Sequence, residues 1–186
     1  MKSRLELALE RSNDIQLDGA VLKEERYETE GRKLAAKALA KGDFNLKEAL
    51  AGPEQALLLK GVLKTLMANL ILPNKQEDLA AFIALKAAFI NLNTQTEPLL
   101  TQLESFLADY LANRHQLTVQ IEAHFRPLIE QKEQEIERKT GMKVKLSADK
   151  IPEAQKVLNE QLATFEQNYL AELKRAKEVL ANIINP

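Results

Sequence analysis

Two histidines, no cysteine and four serines are the side chains from which metal, thiol or hydrolytic chemistry would have to be built in this chain of 186 residues. His115 and His124 stand nine residues apart, so on a straight helix they point in opposite directions and cannot share a metal ion. Helical carboxylate metal centres need a Glu and a His one turn apart. Glu122-Ala123-His124 has the wrong spacing, and neither Glu-x-x-His nor His-Glu-x-x-His occurs. The lack of Cys removes thiolate catalysis, disulfides and Cys-ligated zinc or iron–sulfur sites together. Ser3, Ser12, Ser105 and Ser147 have no strand–turn–helix setting for a nucleophile elbow, and Ser3 and Ser147 read as helix caps. Gly31, Gly42, Gly52 and Gly61 are isolated punctuation and form no phosphate loop. We assign no catalytic, cofactor-binding or metal-ligating residue, and expect a protein that is not an enzyme and carries no cofactor.

What remains is binding chemistry. Arg138, Lys139, Lys143, Lys145 and Lys150 are opposed by Asp149 alone, a local positive excess suited to an acidic partner or to RNA. The stretch has no aromatic residue for base stacking, which disfavours nucleic acid, and Arg138 and Lys139 complement a helix C-terminus without any ligand. Phe82, Phe89, Phe106 and Tyr110 are the residues that would line the pocket of a small-molecule-binding or catalytic bundle, with core packing as the plainer role. Across the whole chain 26 Lys and Arg meet 27 Asp and Glu, so no global field draws it to nucleic acid or an anionic membrane.

The elements that must position these residues are helices. Leu, Ala, Glu, Lys and Arg supply 103 of 186 residues, whereas Val, Ile and Thr together supply 24. That composition predicts an all-α fold, and 45 % apolar content at this length supports a core without staples. Ser3 and Glu6 have capping-box spacing for a helix from Arg4 to Ser12, followed by an extended connector at Ile15 and Leu17. A second helix is predicted from Asp18 to Lys41, stopped by Gly42. Its polar middle, Lys23 to Lys33, gains little from burial and suits a solvated or hinged arm. Asn45 with Glu48 caps a very short helix ended by Gly52-Pro53.

From Pro53 to Leu72 apolar residues cover more than half of the helix circumference, which calls for cover on two sides. Pro73 ends that helix, and Asn74 with Glu77 starts another that carries Leu79, Phe82, Ile83, Ala87, Phe89 and Ile90 inward. Lys60, Lys64 and Asn69 interrupt the first of these stretches and the second is too short to span, so no membrane span is expected. After Thr96-Glu97-Pro98 a long helix carries the stripe Leu103, Leu107, Tyr110, Leu117, Ile121, Phe125 and Leu128. Arg114 is its one charged interruption, and a kink or break is expected at Pro127. Gly141 suits a C-terminal cap. The last helix runs from Pro152 to Ile184 on a stripe from Ala154 to Ile183 with a mean step near 3.6. Between the long helices Met142, Val144 and Leu146 alternate with Lys143 and Lys145, as an extended loop laying three apolar side chains on the helix ends or as an edge strand for another chain.

Leu7-Ala8-Leu9-Glu10-Arg11 with Ile15, and Gly141 and Val144 before a Glu- and Gln-rich helix, resemble a bacterial family of uncharacterised all-helical proteins of similar length. The resemblance implies no activity and transfers no site residue. The expected organisation is an N-terminal segment 1–52, an apolar helix pair 53–93 at the core and a long antiparallel helical hairpin 94–186 with its tip at 141–149. The expected function is a non-enzymatic scaffold or chaperone-like interaction protein of the cytoplasm, since charges interrupt any export signal at the N-terminus. Its partner is another protein or a second copy. Leu100, Leu111, Val157, Leu170 and Val179, which flank the stripes, and Lys143 and Lys145 at the tip, are the candidate partner-binding residues.

Overall fold

The computed structural model describes the backbone of residues 4–41 and 44–185 and the side chains of 21–41, 44–148 and 150–185. The fold is all-α. The helices are α1 (Arg4–Ala40), α2 (Leu46–Ala49), α3 (Gln55–Asn69), α4 (Gln76–Leu92), α5 (Glu97–Thr140) and α6 (Pro152–Ile184), with single 3-10 turns at Thr94–Thr96 and Ala148–Lys150. No strand occurs among the described residues. The chain divides into two compact units: unit 1 is Met1–Ile71, Ala80–Leu100 and Leu180–Pro186, and unit 2 is Leu72–Leu79 and Thr101–Val179.

In unit 1, α1 is one continuous helix, so the connector expected at Ile15 and Leu17 is helical instead. Three residues of alternating hydropathy carry no backbone signal, and with no proline there the helix simply propagates. The capping role expected of Ser3 and the stop at Gly42 lie outside the described residues. The polar stretch 23–33 packs against α3. Lys23 pairs with Glu54 at 2.6 Å, Glu24 with Lys60, and Glu28 with Lys64 at 2.8 Å. Partner numbers rise together on both helices, so α1 and α3 run parallel where they touch.

At two points of the contact a glycine lets the backbones come together. A Cβ on Gly31 would overlap the Leu58 carbonyl oxygen and one on Gly61 the Glu28 carbonyl oxygen, so backbone meets backbone at both points. These two glycines are therefore the closest approach of two helices, not punctuation. The core of the unit is drawn from Leu46, Val62, Leu66, Leu70, Phe82, Leu85, Ala88, Phe89, Leu100 and Leu180. On α4 the buried face is Phe82, Leu85, Ala88 and Phe89; Ile83 and Ala87, expected inward, are exposed.

Local signals explain the helix ends. Asn45 caps α2, its Oδ1 accepting from the Glu48 amide at 3.1 Å while its Nδ2 donates to the Glu48 carboxylate at 3.2 Å. At the start of α4 it is Asp78, not Asn74 with Glu77, that accepts from the Asn74 and Lys75 amides at 2.8 and 3.2 Å. Asn93 Oδ1 accepts from the Gln95 amide and its Nδ2 donates to the Ile183 carbonyl at 2.9 Å, satisfying an orphan acceptor at the end of α6. Gly141 closes α5 with φ +70°, its amide donating to the Glu137 carbonyl.

Unit 2 holds most of α5 and α6. Contacts pair Phe106 with Tyr169, Tyr110 with Glu166 and Arg114 with Glu166. At its other end Ile129, Ala148, Ile151 and Ala154 form a buried cluster joined by Phe125, Leu128 and Leu146. Rising numbers on α5 meet falling numbers on α6, so the two run antiparallel in this unit. Of the kink or break expected at Pro127, the break does not occur, because α5 continues through it. Pro127 and Ala123 are both exposed, so water can serve the carbonyl that loses its amide partner.

Candidate functional site

The α5 stripe and the α6 stripe meet in a cluster of four rings. Tyr110 lies 5.7 Å from Phe165 and 5.0 Å from Tyr169 between ring centroids; Phe106 stands 5.1 Å and Phe165 4.8 Å from Tyr169. The i,i+4 spacing of Phe106 with Tyr110 and of Phe165 with Tyr169 puts one ring pair on each facing helix. Tyr110 is buried and its hydroxyl donates to Glu166 Oε1 at 2.9 Å. Burial, and then that carboxylate, push the Tyr110 hydroxyl up to about 12. Arg114 Nε, shielded from solvent, faces the same oxygen at 3.5 Å without a hydrogen bond, and Nη1 donates to the Asn74 carbonyl at 3.4 Å. The charge that interrupts the α5 stripe is thus an inter-helix ion pair.

On one side of the ring cluster lies an open recess of about 300 Å³ lined by Phe106, Asp109, Asn113, Asn168, Tyr169 and Glu172. Asn113 Nδ2 on α5 donates to the Tyr169 hydroxyl oxygen on α6 at 3.1 Å. Asp109 and Glu172 are exposed carboxylates in its lining, and Glu172 accepts from the Arg175 guanidinium one turn along.

The expected partner-binding residues do not form one face. Leu100 is 0 % exposed in the core of unit 1, so it is a packing residue and cannot dock a partner in this fold. A stripe-flanking position looks the same in sequence whether or not another helix covers it. Leu111 and Val157 are half-buried, and Leu170 and Val179 are 51 % and 47 % exposed. At about 100° per residue, Leu170 lies on the far side of α6 from Asn168 and Glu172, and Leu111 likewise on α5 from Asp109 and Asn113. Val157 falls within about 20° of Asn168, and Val179 within about 20° of Glu172. The recess side therefore carries Val157 and Val179, and the opposite side carries Leu111 and Leu170.

At the tip, Lys143 and Lys145 are exposed, with Lys143 4.0 Å from Glu137. Of the three alternating apolar residues only Leu146 packs on the helix ends, its amide donating to Glu133 at 2.7 Å. Met142 and Val144 face solvent. Of the four aromatics considered for a pocket, Phe82 and Phe89 fill the core of unit 1, Tyr110 is buried in unit 2, and only Phe106 lines the recess. His115 and His124 are exposed, and no group of three His, Asp or Glu that could hold a metal ion occurs among the described residues. No described helix is long and apolar enough to cross a membrane.

Residues 46–182, well over half of the chain, match a family described as a family of unknown function (DUF6657). Gly141 and Val144 fall inside the matched stretch, whereas the Leu7 to Ile15 segment that also carried the resemblance lies outside it. Neither the curated proteins nor the solved structures yield a match.

Proposed function

The chain belongs to this family of unknown function, and we propose that it is a non-enzymatic interaction protein that docks a protein partner or a second copy of itself along the recess side of α5 and α6. One observation carries the proposal. Between residues 155 and 172 no side chain of α6 is buried, although Val157, Leu158, Leu162, Phe165, Tyr169 and Leu170 lie there. A stripe of that length is only partly covered in its own unit; a partner on the recess side adds cover to the part that faces it, Val157 included, and leaves Leu170 on the opposite side open. Completing the burial of a half-exposed valine such as Val179 contributes about 1 kcal/mol. The recess side is favoured over the Leu111–Leu170 side because it joins apolar positions to a concave, charged feature. We place the protein in the cytoplasm, where a chain without cysteine needs no disulfide to fold.

A second contact at the tip is supported by Met142 and Val144 exposed beside Lys143 and Lys145, a surface suited to an acidic protein segment. Light scattering and partner capture on three chains test the main proposal: the parent, the Val157→Glu/Val179→Glu double variant, and Leu170→Glu as the control from the opposite side. Association lost only in the double variant supports recess-side docking. Loss in Leu170→Glu alone, or a parent that associates with nothing, contradicts it.

A further inference from the structure

We infer that the recess receives an arginine side chain presented by the docked partner. This rests on the docking proposal and names the residue the partner brings. The six lining residues comprise two carboxylates, two carboxamides and two aromatic rings, with no Lys or Arg among them. The recess is thus rich in hydrogen-bond acceptors: Asp109, Glu172 and the amide oxygens of Asn113 and Asn168 can all accept. The Asn113 bond to the Tyr169 hydroxyl oxygen orients that ring. A guanidinium answers this set, with five N–H donors, no acceptor and a planar face that stacks on aromatic rings. Phe106 and Tyr169, which both line the recess, supply its aromatic wall. A lysine ammonium offers three donors and no plane, so arginine fits better.

Size and exposure point to a side chain rather than an engulfed small molecule. About 300 Å³ is the lower limit for pockets that enclose a ligand, and Asp109, Asn113, Asn168 and Glu172 are all exposed. A ligand held here keeps its other end outside, as a residue of a second chain does. Glu172 already takes one guanidinium: Arg175, 72 % exposed in its side chain, binds it from the next turn. The incoming arginine exchanges with Arg175 for that carboxylate and gains Asp109 and the rings.

The test is an NMR titration of the full-length 15N-labelled chain with Nα-acetyl-L-arginine amide, and with the neutral Nα-acetyl-L-citrulline amide as the isosteric control. Saturable shifts of the Asn113 and Asn168 side-chain amides are expected with the arginine derivative at millimolar concentration, and at least roughly tenfold weaker binding with citrulline. Asp109→Asn with Glu172→Gln should weaken binding roughly tenfold or more, whereas Arg175→Gln should tighten it about two- to fivefold by removing the competitor. Both are surface changes, so folding is not at stake. A flat titration, an equal response to citrulline, or an unchanged Asp109→Asn/Glu172→Gln variant overturns the inference. The titration uses the chain alone. Docking that survives a flat titration removes only the arginine site, and a saturable titration without any association removes the docking proposal instead.

Discussion

Replacing Gly61 by alanine perturbs one methyl group at the point where α1 and α3 touch. Its Cβ would overlap the Glu28 carbonyl oxygen and stand 2.8 Å from the Glu28 carbonyl carbon and 3.0 Å from its Cα. Carbon atoms settle at about 3.5–4.0 Å, so the helices must part by roughly 1 Å. The obstructing atoms are backbone and cannot rotate aside, which puts the overpacking cost near the upper end of the usual range, about 3 kcal/mol. Alanine returns about 1 kcal/mol through its helix propensity. The net expectation is a loss of about 2 kcal/mol, or a fall in Tm of roughly 4–8 °C for a chain of this size.

Urea and thermal unfolding followed by far-UV circular dichroism measure the loss, with exposed Thr29→Ala on α1 reporting propensity alone. Gly31→Ala should behave alike, since its Cβ would meet Leu58 and Val62 backbone atoms. The Gly31→Ala/Gly61→Ala double variant should cost less than the sum, because one separation of the helices accommodates both methyls. A Gly61→Ala chain as stable as the parent, or strictly additive losses, refutes the close parallel crossing.

Leu100→Ala should destabilise the chain by about 2–5 kcal/mol, while Leu170→Ala should change stability by no more than about 0.5 kcal/mol; urea midpoints of the two variants check the separation of core from surface. Glu28 sits between Lys64 and Arg32, whose hydrogen bonds hold its carboxyl down at about 2 from a usual 4.5. A depressed carboxyl contributes stability above its unfolded value and loses it as pH falls through the folded one. Glu28→Gln should therefore be less stable than the parent at pH 6, with the difference closing between pH 4.5 and about 2 in pH-resolved urea unfolding.

How far the sequence could be read follows from how local each signal is. The bounds of α6 were legible because Pro152 suits the first helical turn and the 3.6-residue stripe runs unbroken behind it; the Asn45 cap and the Gly141 stop are equally local. The continuity of α1 was not, since Ile15 and Leu17 mimic a strand over too few residues to decide anything. Gly31 and Gly61 lie thirty residues apart and become one feature only when α1 and α3 are laid parallel.

The recess is hidden for the same reason. Asp109 and Glu172 are ordinary solvated charges until the register of α5 on α6 sets them around Phe106 and Tyr169. The i,i+4 ring pairs were the one available hint, because two such pairs on neighbouring helices predict an aromatic cluster. That Leu170 and Val179 point to opposite sides, by contrast, follows from nine residues at about 100° each and needs no structure.

The docking we propose puts partners on the side of α6 that carries Val179. A photo-crosslinking amino acid placed in turn at positions 179 and 170 of the full chain in cells tests it most directly, with adducts resolved by mass spectrometry. Recess-side docking predicts a discrete adduct, to one protein or to a second copy, from position 179 and none from 170. Equal labelling from both positions, or an adduct from 170 alone, would contradict it.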